Sequence, residues 1–176
     1  MKIRITILSL CLILISNACG IYSFTGATLS PDIKTISIQT FFDEVGTGPP
    51  NLSQKFTELM KEYFQRNTSL TLVDDEGDLQ FEGSITIYRL SPMAPTSQGN
   101  LNVPGADVAA LQRLTINVKT SYINTRDETK DFDQGFSFYA DYDPETQNFN
   151  SIENDLVDEI FEQIVLDIFN ATIADW

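Results

Sequence analysis

From residue 34 onward the chain moves between two hydrophobic rhythms. Lys34-Thr35-Ile36-Ser37-Ile38-Gln39-Thr40-Phe41 alternates apolar and polar positions, the pattern of a half-buried strand, until Gly46-Thr47-Gly48-Pro49-Pro50 breaks it. Leu52, Phe56, Leu59, Met60, Tyr63 and Phe64 then fall three or four apart. That spacing predicts a helix capped at Asn51, with Gln54 three residues on, running to about Arg66. Leu70-Thr71-Leu72-Val73 reads as a short strand, and Asp74-Asp75-Glu76-Gly77-Asp78 as a solvated hairpin turn. The acidic run lacks the alternating ligands and the distant bidentate glutamate of a calcium loop. Leu79, Phe81, Gly83, Ile85 and Ile87 are expected on one face of the next strand, which ends near Tyr88-Arg89-Leu90.

Two further alternating segments follow. Leu114, Ile116, Val118, Thr120 and Tyr122 form one face, with Arg113, Thr115, Asn117 and Lys119 on the other; Phe136, Phe138, Ala140 and Tyr142 repeat the pattern. Joined by the charged turn Thr125–Lys130, these strands predict an antiparallel meander. Leu156, Ile160, Phe161, Ile164, Val165, Ile168 and Phe169 mark a second helix, with Asn150 or Ser151 as its cap and Glu153 and Asp155 near its positive end.

The order β-α-β-β-β-β-α, with helices apolar on one side only, predicts an α+β fold. It is a two-layer sandwich, two helices packed on one face of a four- to five-stranded, mostly antiparallel mixed sheet. The opposite sheet face carries Thr, Ser, Asn, Gln and charge, so it is either wet or docked against a polar partner. Residues Ser91 to Ala110, with Pro92, Pro95, Gly99, Pro104 and Gly105, offer little to a core. A loop of that length in a small domain is functional or disordered.

The N-terminus obeys neither rhythm. Lys2 and Arg4 precede an apolar run from Ile5 to Ile15, and Ser16-Asn17-Ala18-Cys19-Gly20 closes it. The run is too short to span a bilayer as a mature helix and fits an export signal. It resembles the bacterial lipoprotein signal, in which the cysteine is acylated and becomes the mature N-terminus. Ala18 fits the small residue before it, and Ser16 departs from the large apolar residue usual three places upstream. The alternative is an ordinary cleaved signal with a free cysteine. The expected organisation is a lipoprotein signal peptide at 1–18, a lipid-anchored arm at 19–33 and one α/β sandwich domain at 34–176.

Charge and composition narrow the function. Without Lys2 and Arg4, nine basic side chains face 25 acidic ones, a formal charge of −16. That balance argues against nucleic acid and against adsorption to an anionic membrane by net charge. Removal of Cys11 and acylation of Cys19 leave no thiol, and the sequence has no histidine. Histidine-based hydrolases and the common zinc and iron sites drop out, leaving no expected metal or cofactor. A carboxylate pair assembled by folding is the one catalytic route open. The carboxylates gather in turns and on polar helix faces, and the reading is that this is not an enzyme.

Several words of the sequence resemble a known family. They are Cys19-Gly20-Ile21-Tyr22-Ser23-Phe24-Thr25-Gly26, Leu52-Ser53-Gln54-Lys55-Phe56-Thr57 leading through Phe64-Gln65 to Thr68-Ser69-Leu70, and Phe81-Glu82-Gly83-Ser84-Ile85-Thr86-Ile87-Tyr88 with Ser91-Pro92. In order and spacing they are similar to the Bacteroidetes branch of the lipopolysaccharide-assembly lipoprotein LptE. The resemblance implies two helices against a mixed sheet and a place at the outer membrane. It implies work inside the lumen of the β-barrel LptD, assisting its assembly, plugging it and helping lipopolysaccharide reach the surface. The residues after Cys19 lack the surface-export pattern of that phylum, which implies a domain facing the periplasm. Some members of the family contact lipopolysaccharide through basic residues. On position, Arg89 and Arg113 flank the long loop and Lys119 lies further along the strand, so these are the candidate contacts; the alternative is that all three are ordinary surface charges. The competing reading of the whole chain is another accessory lipoprotein, a cell-wall synthase activator or a secretion-pore pilotin.

Overall fold

A computed structural model describes residues 29–93 and 111–173. The signal segment, Cys19, most of the arm, the loop at 94–110 and Trp176 lie outside the described residues. Strands β1 (Thr35–Ile38) and β2 (Phe42–Asp43) precede helix α1 (Leu52–Asn67), and β3 (Thr71–Val73) follows it. The long strands β4 (Leu79–Pro92), β5 (Gln112–Asn124) and β6 (Phe132–Tyr142) then run into helix α2 (Phe149–Thr172). The strands form one sheet in the order β3-β1-β4-β5-β6, with β2 also on β4. β1 is parallel to both β3 and β4, and β4-β5-β6 is the antiparallel meander the alternation predicts.

Both helices lie on one sheet face, and their stripes make the core. Phe56, Met60 and Phe64 of α1 and Val157, Ile160, Phe161, Ile164, Val165 and Ile168 of α2 are fully buried. They meet Leu114, Ile116 and Val118 of β5, which are equally inaccessible. Burying each such aliphatic or aromatic side chain stabilises the fold by roughly 1.5–3 kcal/mol. Edge-on ring contacts at 4.9 and 5.0 Å link Phe41 to Phe56 and Phe56 to Phe161, so the sheet edge, α1 and α2 share one aromatic seam. The helices run the same way, as the Lys55–Asp158 ion pair at 2.7 Å and the Phe64–Phe169 ring contact at 5.3 Å show. No described helix is long and apolar enough to cross a membrane.

The first strand is interrupted. Ile38 pairs with Phe81 and Phe42 with Ser84, one more residue on this side than on β4. The extra length turns Phe41 inward to full burial, and its N–H donates to Thr57 Oγ1 at 3.0 Å. Thr57 donates in turn to Ser53 O at 2.8 Å, tying the sheet edge to α1.

Three local expectations give way. Asp74–Asp78 is not a hairpin turn, because β1 lies between β3 and β4 and the segment must cross it. Gly77 lies against β1, where a Cβ would come within 2.5 Å of Ser37 N and 2.7 Å of the Ile36 carbonyl carbon, so only glycine fits. Ile87 does not share the face of Ile85. A bulge shifts the register, pairing Ile85 with Val118 but Ile87 with Asn117, and Tyr88 takes the inward place opposite Ile116. The caps also differ. Asn51 is the N-cap of α1 as expected but makes no side-chain cap bond, while α2 starts earlier than expected, with Asn148 Oδ1 accepting from Asn150 N at 3.0 Å.

Candidate functional site

The sheet face away from the helices carries the three candidate cations. Cross-strand register places Arg89, Thr115 and Tyr139 in one row and Ser91, Arg113 and Asp141 in the next. Ile87, Asn117 and Ser137 form a third row, and Lys119 stands beyond it between Ser84 and Gly135. Period-two alternation of β5 suffices to put Arg113, Thr115, Asn117 and Lys119 on this side. The bulge then aligns Arg89 with them.

The candidates are not equivalent. Arg113 donates from Nε and Nη2 to the two oxygens of Asp141, both at 2.7 Å. Its guanidinium carbon sits 3.4 Å from the centre of the Tyr139 ring, a stacked cation–π contact. The bonds to Asp141 raise the Arg113 pKa further. Lys119 pairs with Asp133 at 3.0 Å. Arg89 is exposed and makes no ion pair among the described residues. The structure therefore brings Arg89 and Arg113 into adjacent rows but commits Arg113 to a carboxylate and a ring.

Apolar side chains punctuate the same face. Phe42 is 71% exposed, and Tyr139 and Ile123 are 46% and 40% exposed. Phe42 and Ile123 wall a shallow hollow floored by Gln80, Glu82 and Ser121. Thr86 Oγ1 donates to Asn117 Oδ1 at 2.7 Å, closing the bulge. This is a mixed surface of hydroxyls, amides, paired charges and isolated apolar groups. It suits contact with a polar wall.

At the loop end, β4 and β5 remain paired up to Pro92 and Gln112, and Met93 N donates to Leu111 O at 2.8 Å. Leu90 and Leu111 are 41% and 40% exposed there. Tyr88 fastens this end to α2 by donating its phenol to Glu153 Oε1 at 2.6 Å. Burial, reinforced by that acceptor and its charge, pushes the phenol pKa well up.

Sequence reasoning missed the tie at the opposite end. Asp78 Oδ2 accepts from Lys34 N, Thr35 N and Thr35 Oγ1, at 2.9, 3.0 and 2.9 Å. Oδ1 takes Arg126, so a residue read as one of several turn acids is a junction between three segments. The Lys34 backbone bond leads the causes that hold its carboxyl far below the ordinary range. No local signal marks it, because its partners lie more than 40 residues away. Among the described residues no cluster of three or more metal-ligating side chains occurs.

Comparison with known proteins gives this geometry a context. A family model described as LptE: Lipopolysaccharide-assembly matches residues 33–172. The chain belongs to the LptE family. No curated protein matches it. Solved structures align with it at low identity. Hypothetical protein CT253 from Chlamydia trachomatis aligns at TM-score 0.53 and 10% identity, over 81% of this chain and 99% of that one. A putative neuraminyllactose-binding hemagglutinin homolog from Helicobacter pylori aligns at TM-score 0.51 and 8% identity, over 84% and 87%. Rare lipoprotein B from Shewanella oneidensis aligns at TM-score 0.48 and 14% identity, over 78% and 90%. The helix pair on a mixed sheet is the fold that CT253 and the Helicobacter pylori protein share with this chain.

Proposed function

We propose that this chain is an outer-membrane lipoprotein, anchored through Cys19 after loss of residues 1–18. It assists assembly of an LptD-like β-barrel and plugs it during lipopolysaccharide transport, with its domain facing the periplasm and the barrel lumen. It acts by binding and placement rather than by catalysis. The observation that carries the reading is the LptE family match over residues 33–172, which takes in every element from β1 to α2. The mixed polar face around Thr115, Asn117 and Lys119 supports it, since barrel interiors are polar.

Affinity purification of the tagged chain from membranes in mild detergent tests the partner. A large outer-membrane barrel should co-purify in stoichiometric amount, and its absence would overturn the plug reading. Labelling with a palmitate analogue tests the anchor. Cys19→Ser should abolish labelling, and labelling that persists in the variant or is absent from the wild type would refute the anchor.

A further inference from the structure

The end of the domain where residues 29–34 come in differs from the rest of this acidic chain. Two hollows flank that segment and share Leu29, Ser30, Ile33 and Lys34. One, of about 850 Å³, is lined further by Pro31, Arg66, Asn67, Thr68, Ser69 and Thr71. Its lining holds two cations, four hydroxyls and an amide, and no carboxylate. The other, of about 810 Å³, adds Arg126 and Lys130, accompanied by Asp32, Asp78 and Asp127. Four of the nine basic residues after Cys19 therefore lie in or beside one short segment.

The two cations of the carboxylate-free hollow are available. Lys34 is exposed, and its ammonium makes no ion pair among the described residues. Arg66 is held loosely, by Glu62 at 3.4 Å with both side chains about two-thirds exposed, and by the Tyr63 ring at 6.0 Å. Such an exposed pair is easily exchanged for a stronger acceptor. Ser69 supplies a hydroxyl beside them, while Thr68 Oγ1 donates to Phe64 O at 2.7 Å and closes the end of α1. Two exposed cations and a hydroxyl are groups that bind a phosphate monoanion.

We infer that this hollow seats the phosphate of a membrane glycerophospholipid headgroup. The inference rests on the anchor reading above. Ten residue steps separate Cys19 from Leu29, so this rim lies within about 35 Å of the acylated residue at full extension. β4 and β6 both run from this end toward the long loop, so the opposite tip points away from it. A local cationic seat near the tether thus sets which end of an otherwise repelled domain meets the bilayer.

The test uses the lipidated chain in vesicles of phosphatidylethanolamine and phosphatidylglycerol carrying a headgroup nitroxide. Amide signals of Ser30, Lys34, Thr68 and Ser69 should broaden at least fivefold more than that of Thr115. The contrast should disappear in Lys34→Glu/Arg66→Glu and survive in Lys34→Arg/Arg66→Lys. Uniform broadening, or a contrast unchanged in the charge-reversed form, would overturn the proposal. Inorganic phosphate that shifts the same amides in solution, while nitroxide vesicles do not broaden them, would assign the seat to free anion and overturn it too. Lipid labelling at Cys19, scored on the same samples, separates failure of the seat from failure of the anchor.

Discussion

Arg126 donates from Nε and Nη2 to one oxygen of Asp78, at 3.0 and 2.6 Å, while the other oxygen of that carboxylate holds the start of β1. Thr125 adds a backbone bond to Asp78 O at 3.0 Å. The β5–β6 turn, the crossover and the first strand therefore meet at one side chain. That meeting matters most for the parallel part of the sheet, whose strands are short.

Asp78→Asn should lower stability at pH 7 by about 1–3 kcal/mol, since a charged acceptor of several bonds is replaced by a group that cannot accept them all. The folded-state pKa lies below the ordinary value of 3.8, so the contribution is complete above that value and fades as pH falls below it. Chemical denaturation across pH 7 to 2 should show the wild-type advantage shrinking below about pH 4. A constant gap would show that Asp78 acts through packing alone.

Gly83 has no room for a side chain. A Cβ there would meet Lys119 O at 2.1 Å and the Phe41 ring at 2.6 Å, the first a backbone atom that cannot step aside. Gly83→Ala should cost about 2 kcal/mol or more by forcing β4 from β5 or Phe41 from the core. Urea unfolding measures it. A neutral result would mean that neither Lys119 O nor the Phe41 ring approaches Gly83 as closely as described.

Arg89 and Arg113 should respond differently to charge reversal. Arg89→Glu should weaken binding of purified lipopolysaccharide severalfold, because its guanidinium has no competing carboxylate among the described residues. Arg113→Glu should weaken it less but disturb the sheet face, since it sets a new carboxylate beside Asp141 and empties the Tyr139 ring contact. Titration against immobilised lipopolysaccharide, beside thermal melts, compares them. Binding by both variants that equals the wild type's would retire the two arginines as contacts.

Replacing residues 95–109 with a short glycine–asparagine link should leave the domain folded. Pairing up to Pro92–Gln112 and the Met93–Leu111 bond already bring the loop ends together, and closure entropy changes slowly with loop length. Melting temperature should hold while recovery of the barrel partner falls. Global unfolding would place the loop in the core.

Much of the fold was readable because its periods are local. The stripes Leu52–Phe64 and Leu156–Phe169 became the buried faces of α1 and α2, and alternation in β5 and β6 gave the correct inward sets. Ile87 was misplaced because the bulge breaks period two without a glycine or proline to announce it. Asn51 holds the N-cap position its type suggests but makes no side-chain cap bond; its carbonyl accepts the first helical bond from Lys55 N, and Leu52 N donates to Pro49 O. Arg113 and Lys119 were assigned to the right face, whereas only the bulge brings Arg89 there. The pairing of Arg113 with Asp141 and of Lys119 with Asp133 was invisible, as each partner lies on another strand.

The sequence by itself determined element types, the apolar side of each, and the acidic, histidine-free chemistry of the chain. Those follow from periods of 2 and 3.6 residues and from composition, which need no knowledge of neighbours. Only the tertiary structure decided that β1 lies between β3 and β4, that Asp78 gathers three segments, and that Lys34 and Arg66 share a hollow. Strand order and ion pairing are set by which distant surfaces can be buried together. A sequence read locally carries no term for that.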